Sequence, residues 1–284
     1  MPSYLAPETP SPSALRMALM RAAHQLLDEP RVLHDPYALR ILGDQALDLI
    51  ADPYALNDPM TRPLRAAIVG RSRWAEDDME HAVHQGVQRL VLLGAGLDTY
   101  SLRAPSTVQV LEIDHPAMQD WKRRRLHAAQ LRLPEHVRLL PCDLARQGLD
   151  TCLAQAGVPP DEPICVVALG LTPYLRAERV QHLLACTGRY PAGTRILFDF
   201  RVNPAALPPM ERMLDGMMAQ QCAAGGEPWL SAFQPHDVDE LLNRLGFSRR
   251  TLWDTETLNR HYFPQRRDGL QSIGAGLRLV RAAV

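Results

Sequence analysis

The sequence predicts a single α/β domain, Rossmann-like, with a seven-stranded, mostly parallel sheet and an N-terminal helical cap. Three observations predict it. Residues 89–93 read as a short buried strand whose Leu90 to Leu93 run without alternation, as in a parallel strand covered on both faces, and the strand breaks at Gly94, Ala95 and Gly96. A second apolar run, from Val108, ends in Leu111, Glu112, Ile113 and Asp114. Further strands are expected at 137–140, 164–169 and 194–200, alternating with helical patterns, and two late strands at 247–253 and 276–283 suit a closing antiparallel pair.

The N-terminal elements come first. Residues 1–12 hold four prolines and read as a mobile tail. A helix is expected from Ser13, capped by Ser11 or Ser13, with Leu15, Ala18, Leu19, Ala22, Ala23, Leu26 and Leu27 on its apolar stripe. Asp35 is placed to cap a second helix that carries Pro36 in its first turn. Residues 57–63 read as a linker, which sets the cap at 13–63 and the α/β domain at 64–284. A long helix follows from about residue 65 to 84, with Ala75, Met79, Ala82 and Val83 buried.

Within the α/β domain, helices are expected at 116–131, 179–189 and 238–245, the last stopped by Gly246. The stretch 201–233 reads as an inserted lid. Its Met213, Met217 and Met218 suit core filling or a flexible cover better than a specific cofactor contact.

The glycine turn carries the chemistry. Two glycines permit a tight turn and let a ligand approach the backbone. An acid about 20 residues further on, at the end of the next strand, accepts hydrogen bonds from a ribose diol, and Glu112 is assigned that role. A third glycine is missing, which disfavours a dinucleotide, and no phosphate loop is present. A nucleoside cofactor is therefore expected across the strand ends.

Composition excludes other classes. The 284-residue chain is 46% hydrophobic with a net charge of −1, so no general affinity for nucleic acid or anionic membrane is expected. Lys122 to Arg125 form the dense basic cluster and read as a solvated helix face. The five cysteines, odd in number and without CxxC spacing, fit reduced thiols, and no metal-site spacing is seen. No apolar run reaches membrane-span length and no signal peptide is recognised, so a cytoplasmic location is expected.

Gly94, Ala95, Gly96, Leu97, Asp98 and Thr99, then Leu102 and Arg103, then Glu112, Ile113, Asp114, His115 and Pro116, and Trp121 and Lys122, resemble the leucine carboxyl methyltransferase-like family. These are class I S-adenosylmethionine-dependent O-methyltransferases, many from bacterial secondary metabolism. The resemblance implies S-adenosyl-L-methionine as cofactor, which has a nucleoside and no phosphate. It implies cofactor contacts at Arg71, Gly94, Ala95, Gly96, Asp98, Glu112, Ile113, Asp143, Leu144 and Leu169.

Arg71, with Ser72, Arg73 and Trp74, matches the family segment whose first arginine binds the cofactor's carboxylate; read without the resemblance, it is a surface ion pair with Glu76, Asp77 or Asp78. Asp143 and Leu144 match the adenine contact; alone, Asp143 equally reads as a helix cap. Gly170, Tyr174 and Leu175 match a family segment, but Leu169 stands where the family usually has glutamate. An ammonium buried there needs another acceptor, and Asp98 and the backbone carbonyls around Gly94 are the nearest by sequence, with Asp98 expected to carry more of the contact.

No catalytic residue is assigned. Tyr174, His115, His236, His261 and Asp199 are weak candidates for a general base, which a phenol acceptor needs and a carboxylate does not. The leading function is O-methylation of a carboxyl or hydroxyl group on a small, possibly carrier-bound, biosynthetic intermediate. Two alternatives stand beside it. One is a non-methylating cyclase or isomerase on the same frame, suggested by Leu169. The other is a methyltransferase acting on a protein C-terminus.

Overall fold

The computed structural model describes residues 11–43, 56 and 58–284. Most of the expected 1–12 tail and part of the 13–63 cap lie outside the described residues. Helix α1 (Pro12–Leu27) starts with Ser11, whose hydroxyl accepts from Ala14 N, and Pro12, which needs no partner for an N–H. Asp35 accepts from Tyr37 N in the turn before the short α2 (Ala38–Leu42). Helix α3 (Thr61–His84) begins a turn earlier than expected, with Pro63 tolerated in the first turn.

The sheet follows as β1 (Arg89–Leu93), β2 (Gln109–Asp114), β3 (Val137–Pro141), β4 (Cys165–Ala168), β5 (Arg195–Arg201), β6 (Arg249–Trp253) and β7 (Leu277–Ala283). Its order is β3-β2-β1-β4-β5-β7-β6. The first five strands are parallel, and β7 runs antiparallel between β5 and β6. Between strands lie α4 (Pro116–Ala128), α5 (Leu149–Gln155), α6 (Ala177–Thr187), α7 (Pro209–Ala224), α8 (Pro235–Arg244) and α9 (Thr255–Tyr262). Sequence reading missed α5 and α9. Both are short, and α9 is mostly polar, with only Leu258 buried.

Strand alternation divides the core into two layers. Val91, Leu93, Val166, Ala168, Ile196 and Phe198 face α5, α6 and α8. Leu90, Leu92, Cys165, Val167 and Leu197 face Trp74, Ala75, Met79 and Ala82 of α3. A third cluster joins α1 and α2 to α4 through Ala18, Ala22, Ile41, Leu97 and Leu126. The helical cap is thereby packed against the loop that follows β1.

The basic cluster is not wholly a solvated face. Lys122 is 1% exposed and pairs with Glu112 at 2.5 Å. Arg125 donates to Ile41 O at 2.8 Å, while Arg123 and Arg124 are exposed. The expectation of reduced thiols also fails for two of the cysteines. Cys142 and Cys152 are joined as a disulfide with Cα atoms 6.7 Å apart, whereas Cys165, Cys186 and Cys222 are free. Strand β3 ends beside α5, and that neighbourhood is not readable from the spacing.

Arg65 ties the cap to α3. It is fully buried and forms a bidentate pair with Asp28 at 2.7 and 2.8 Å, and it also reaches Leu56 O. His24 Nε2 accepts from Val32 and Leu33 N–H, so Nδ1 carries the proton and donates to Asp28 at 2.8 Å. Burial opposes ionisation of Asp28, but the Arg65 and His24 hydrogen bonds outweigh it and bring its pKa down to about 2. A depressed folded pKa means that this stabilisation is complete above the ordinary aspartate value of 3.8 and is lost as pH falls toward 2. Arg65→Met should cost ~3–5 kcal/mol by leaving Asp28 buried and unpaired, read by chemical denaturation at pH 7. Wild type should lose its advantage over the variant between about pH 4 and pH 2.

Candidate functional site

A cavity of about 430 Å³ opens at the carboxyl ends of β1, β2 and β4, where open α/β sheets bind ligands. Its floor is the turn after β1. Gly94 and Gly96 both have positive φ, +63° and +53°. The dihedral favours glycine, and a Cβ on Gly94 would also crowd the Leu171 side chain at 3.0 Å. Gly96 N donates to Asp114 Oδ2 at 2.7 Å, and His115 N donates to Oδ1 at 2.7 Å. Burial raises the Asp114 pKa against these two donors.

This geometry corrects the placement of the ribose acid. Glu112 is fully buried and does not border the cavity. Its oxygens are taken by Lys122 Nζ and Ser101 Oγ, both at 2.5 Å. Asp114, the last residue of β2, is the acid that faces the cavity. The sequence held the signal: Pro116 at the start of α4 makes His115 the cap, so the strand must end at Asp114. Ile113 is a core residue and does not line the cavity.

The other expected cofactor residues, Arg71, Gly94, Ala95, Gly96, Asp98, Asp143, Leu144 and Leu169, do line it. Asp143 accepts from Ala145 N at 3.0 Å in a turn and starts no helix, so the capping alternative does not hold. Asp98 accepts from Tyr100 N at 2.7 Å and lies 3.9 Å from Arg21. Burial raises the Asp98 pKa, but the charges of Arg21, Lys122 and Arg103 and the Tyr100 N–H outweigh it and leave the net shift downward. Arg21, on α1, also donates to Leu97 O at 2.8 Å, which fastens the cap to the glycine turn.

Arg71 is not the surface ion pair of the alternative reading. Its Nη1 meets Asp199 Oδ2 at 2.5 Å, and Asp199 Oδ1 accepts from Gly170 N at 2.7 Å. Asp199 is fully buried, and Arg71 Nε is buried without a partner. The pair is 128 residues apart in sequence, and no local signal joins the two.

Beyond Gly170 the cavity becomes apolar, with Met218, Trp229, Leu230, Trp253, Leu258 and Ile273 in its wall. Tyr174 stands there with its hydroxyl 3.7 Å from Cys222 Sγ. Burial pushes the Tyr174 phenol up to about 12 despite the neighbouring Ser13 and Trp229 donors. Of the weak catalytic candidates, Tyr174, His115 and Asp199 border the cavity. His115 sits beside Asp114, where its Nδ1 accepts from Ala117 N. His261 stacks on Trp253 and Tyr262 in a separate shallow depression, and His236 is exposed on α8 with Glu240 as its partner. At one edge of the cavity, Ser11 and Ser13 N meet the Glu227 carboxylate and Arg16 reaches Gln221. The stretch 201–233 thus contributes Glu227, Trp229 and Met218, while Met210, Met213 and Met217 face outward.

These residues fit an adenosyl amino acid. A glycine cradle, a half-buried carboxylate at the end of β2, a polar turn after β3 and an arginine with a free Nε lie along one cavity. Among the described residues there is no group of three or more His, Cys, Asp and Glu side chains able to hold a metal, and no helix is long and apolar enough to cross a membrane.

Fold and cavity together define a class I methyltransferase domain. Two solved structures share the fold. A methyltransferase, provisionally so named, from Thermobifida fusca aligns at TM-score 0.60 over 99% of this chain and 97% of that one, with 14% identity. A DUF574 family protein from Streptomyces avermitilis aligns at TM-score 0.58 over 96% and 97%, again with 14% identity.

Residues 14–188 match the leucine carboxyl methyltransferase family, and the chain belongs to it. The relatives bear provisional names as S-adenosyl-L-methionine-dependent methyltransferases. Bacillus subtilis YktD is 27% identical over 72% of this chain and 68% of its own, and a Mycolicibacterium smegmatis protein is 28% identical over 83% and 76%. The protein is an S-adenosyl-L-methionine-dependent methyltransferase.

Asp114→Asn should weaken S-adenosylhomocysteine binding by ~1.5–3 kcal/mol, the range for hydrogen bonds to a charged group, measured by calorimetry. Wild-type affinity should fall as the pH drops through the raised Asp114 pKa, because the neutral carboxyl is the poorer acceptor. Glu112→Gln should leave that affinity within about twofold yet cost ~3–5 kcal/mol of stability by stranding Lys122.

Proposed function

We propose that the protein methylates a carboxylate oxygen of a small, largely apolar molecule. The supporting observation is the acceptor end of the cavity. It has an apolar wall, and none of the candidate bases stands there ready to take a proton. Tyr174 is held protonated by burial, Asp199 is engaged by Arg71 and Gly170, His115 borders the cavity beside Asp114 at the nucleoside end with its Nδ1 accepting from Ala117 N, and His236 and His261 lie outside the cavity. A hydroxyl acceptor gains from a general base, whereas a carboxylate is already ionised at neutral pH.

When bound, S-adenosyl-L-methionine supplies a methyl group on a positively charged sulfonium. The chain's own residues supply position and exclusion. Asp114 and the turn at Asp143 hold the nucleoside end, and Arg71 holds the carboxylate of the amino-acid end. The wall from Met218 to Trp253 orients the acceptor, and the Tyr174 hydroxyl donates to its carboxylate. The same apolar wall limits the water that can compete at the acceptor end. In-line transfer depends on such positioning more than on acid–base help.

Incubation with S-adenosyl-L-methionine and a panel of apolar carboxylic acids and phenols should yield a methyl ester, seen as a gain of one methyl group by mass spectrometry. The rate should be nearly flat from about pH 6 to pH 9, since a carboxylate stays ionised throughout. A tenfold rise per pH unit would instead indicate an ionising hydroxyl acceptor. Tyr174→Phe should raise KM for the acid by about fivefold, the worth of one hydrogen bond near 1 kcal/mol, and leave cofactor affinity unchanged.

A further inference from the structure

We infer that Asp199 is the acceptor for the ammonium group of the cofactor, in place of the acid that the family carries at the position of Leu169. The inference rests on the methyltransferase assignment and extends it to a residue that family resemblance does not supply. Leu169, directly after β4, presents an apolar side chain to the cavity. The adjacent strand restores a carboxylate at the same level. Ala168 pairs with Phe198 across β4 and β5, so Asp199 stands beside Leu169.

Asp199 is fully buried yet borders the cavity, and each of its oxygens has so far one donor, Gly170 N or Arg71 Nη1. A carboxylate oxygen accepts more than one hydrogen bond, so capacity for an ammonium remains. Arg71 likewise keeps a buried, unpartnered Nε. The two side chains form a pair with one positive and one negative end. An α-amino acid group carries a carboxylate and an ammonium, and it fits that pair with opposite charges in contact. Burying the zwitterion there adds no net charge, which removes the largest obstacle to ion burial.

Asp98, the acceptor expected from sequence, is the weaker choice. It lies toward the cap, 3.9 Å from Arg21, and its side chain is 31% exposed whereas that of Asp199 is fully buried.

The test is calorimetric titration of wild type, Asp199→Asn and Asp98→Ala with three ligands. These are S-adenosylhomocysteine, its analogue lacking the amino group, and 5′-methylthioadenosine, which lacks the whole amino-acid end. Wild type should prefer S-adenosylhomocysteine over the deaminated analogue by about 10- to 100-fold, the range for a hydrogen-bonded charge. Asp199→Asn should reduce that preference to about twofold while binding 5′-methylthioadenosine as wild type does. Asp98→Ala should keep the preference.

A preference that survives in Asp199→Asn overturns the inference. So does an equal loss for both amino-acid-end ligands, which would mean that Asp199 acts only by holding Arg71. Wild type that binds 5′-methylthioadenosine but shows no preference overturns the inference and leaves the methyltransferase reading intact. Wild type that binds none of the three overturns both. Should Asp199→Asn fail to fold, a crystal structure of wild type with S-adenosylhomocysteine decides. An amino nitrogen within about 3.2 Å of the Asp199 carboxylate supports the inference, and one placed on Asp98 or water overturns it.

Discussion

The hydrogen bond from Gly96 N to Asp114 Oδ2, 2.7 Å long, is the constraint on which the site depends. It joins the turn after β1 to the last residue of β2. The turn must reach that carboxylate with the chain in a left-handed conformation, which is why glycine stands at the position. The same bond aims Asp114 along the strand ends rather than into the core. Leu97 and Asp98, just past the turn, then receive Arg21 from α1, so the cap is oriented by the same loop. Moving Asp114 would shift the cradle, the nucleoside end of the cavity and the cap together.

Electrostatic pairing organises the interior around this loop. Glu112 and Lys122, Asp28 and Arg65, and Arg71 and Asp199 are each buried as opposite charges in contact. The first two pairs fasten helices to the sheet or to each other. The third lies at the cavity wall and retains unused hydrogen-bonding capacity. Similar pairs thus serve different purposes, and position relative to the strand ends distinguishes them.

Much of the fold was legible because its determinants are local. Unbroken apolar runs marked the parallel strands, and the glycines marked the turn. The site was legible in part. Arg71, Asp98 and Asp143 line the cavity as expected, since each lies next to a recognisable strand end or motif. Glu112 was misplaced because two acids share β2 and strand composition does not show which one ends it. Lys122 looked solvated because a run of like charges does not show its partner across the helix–sheet interface. Asp199 was seen only as a weak base, since its relation to Arg71 depends on how β5 sits beside β4 and α3. Short polar α9 offered little apolar periodicity to detect.

The contact of α1 with Glu227 has a consequence for exchange. Among the described residues, Ser11 and Ser13 N to Glu227 and Arg16 to Gln221 hold the start of α1 at the cavity edge. Such bonds are worth about 1 kcal/mol each, and the first turn of a helix is where fraying begins. Fraying of a helix end is far faster than a typical turnover of about 10 per second. The apolar packing of Ala18, Ala22 and Ala23 lies further along the helix and need not be disturbed. Opening of that single turn would widen this edge of the cavity without unpacking the cap.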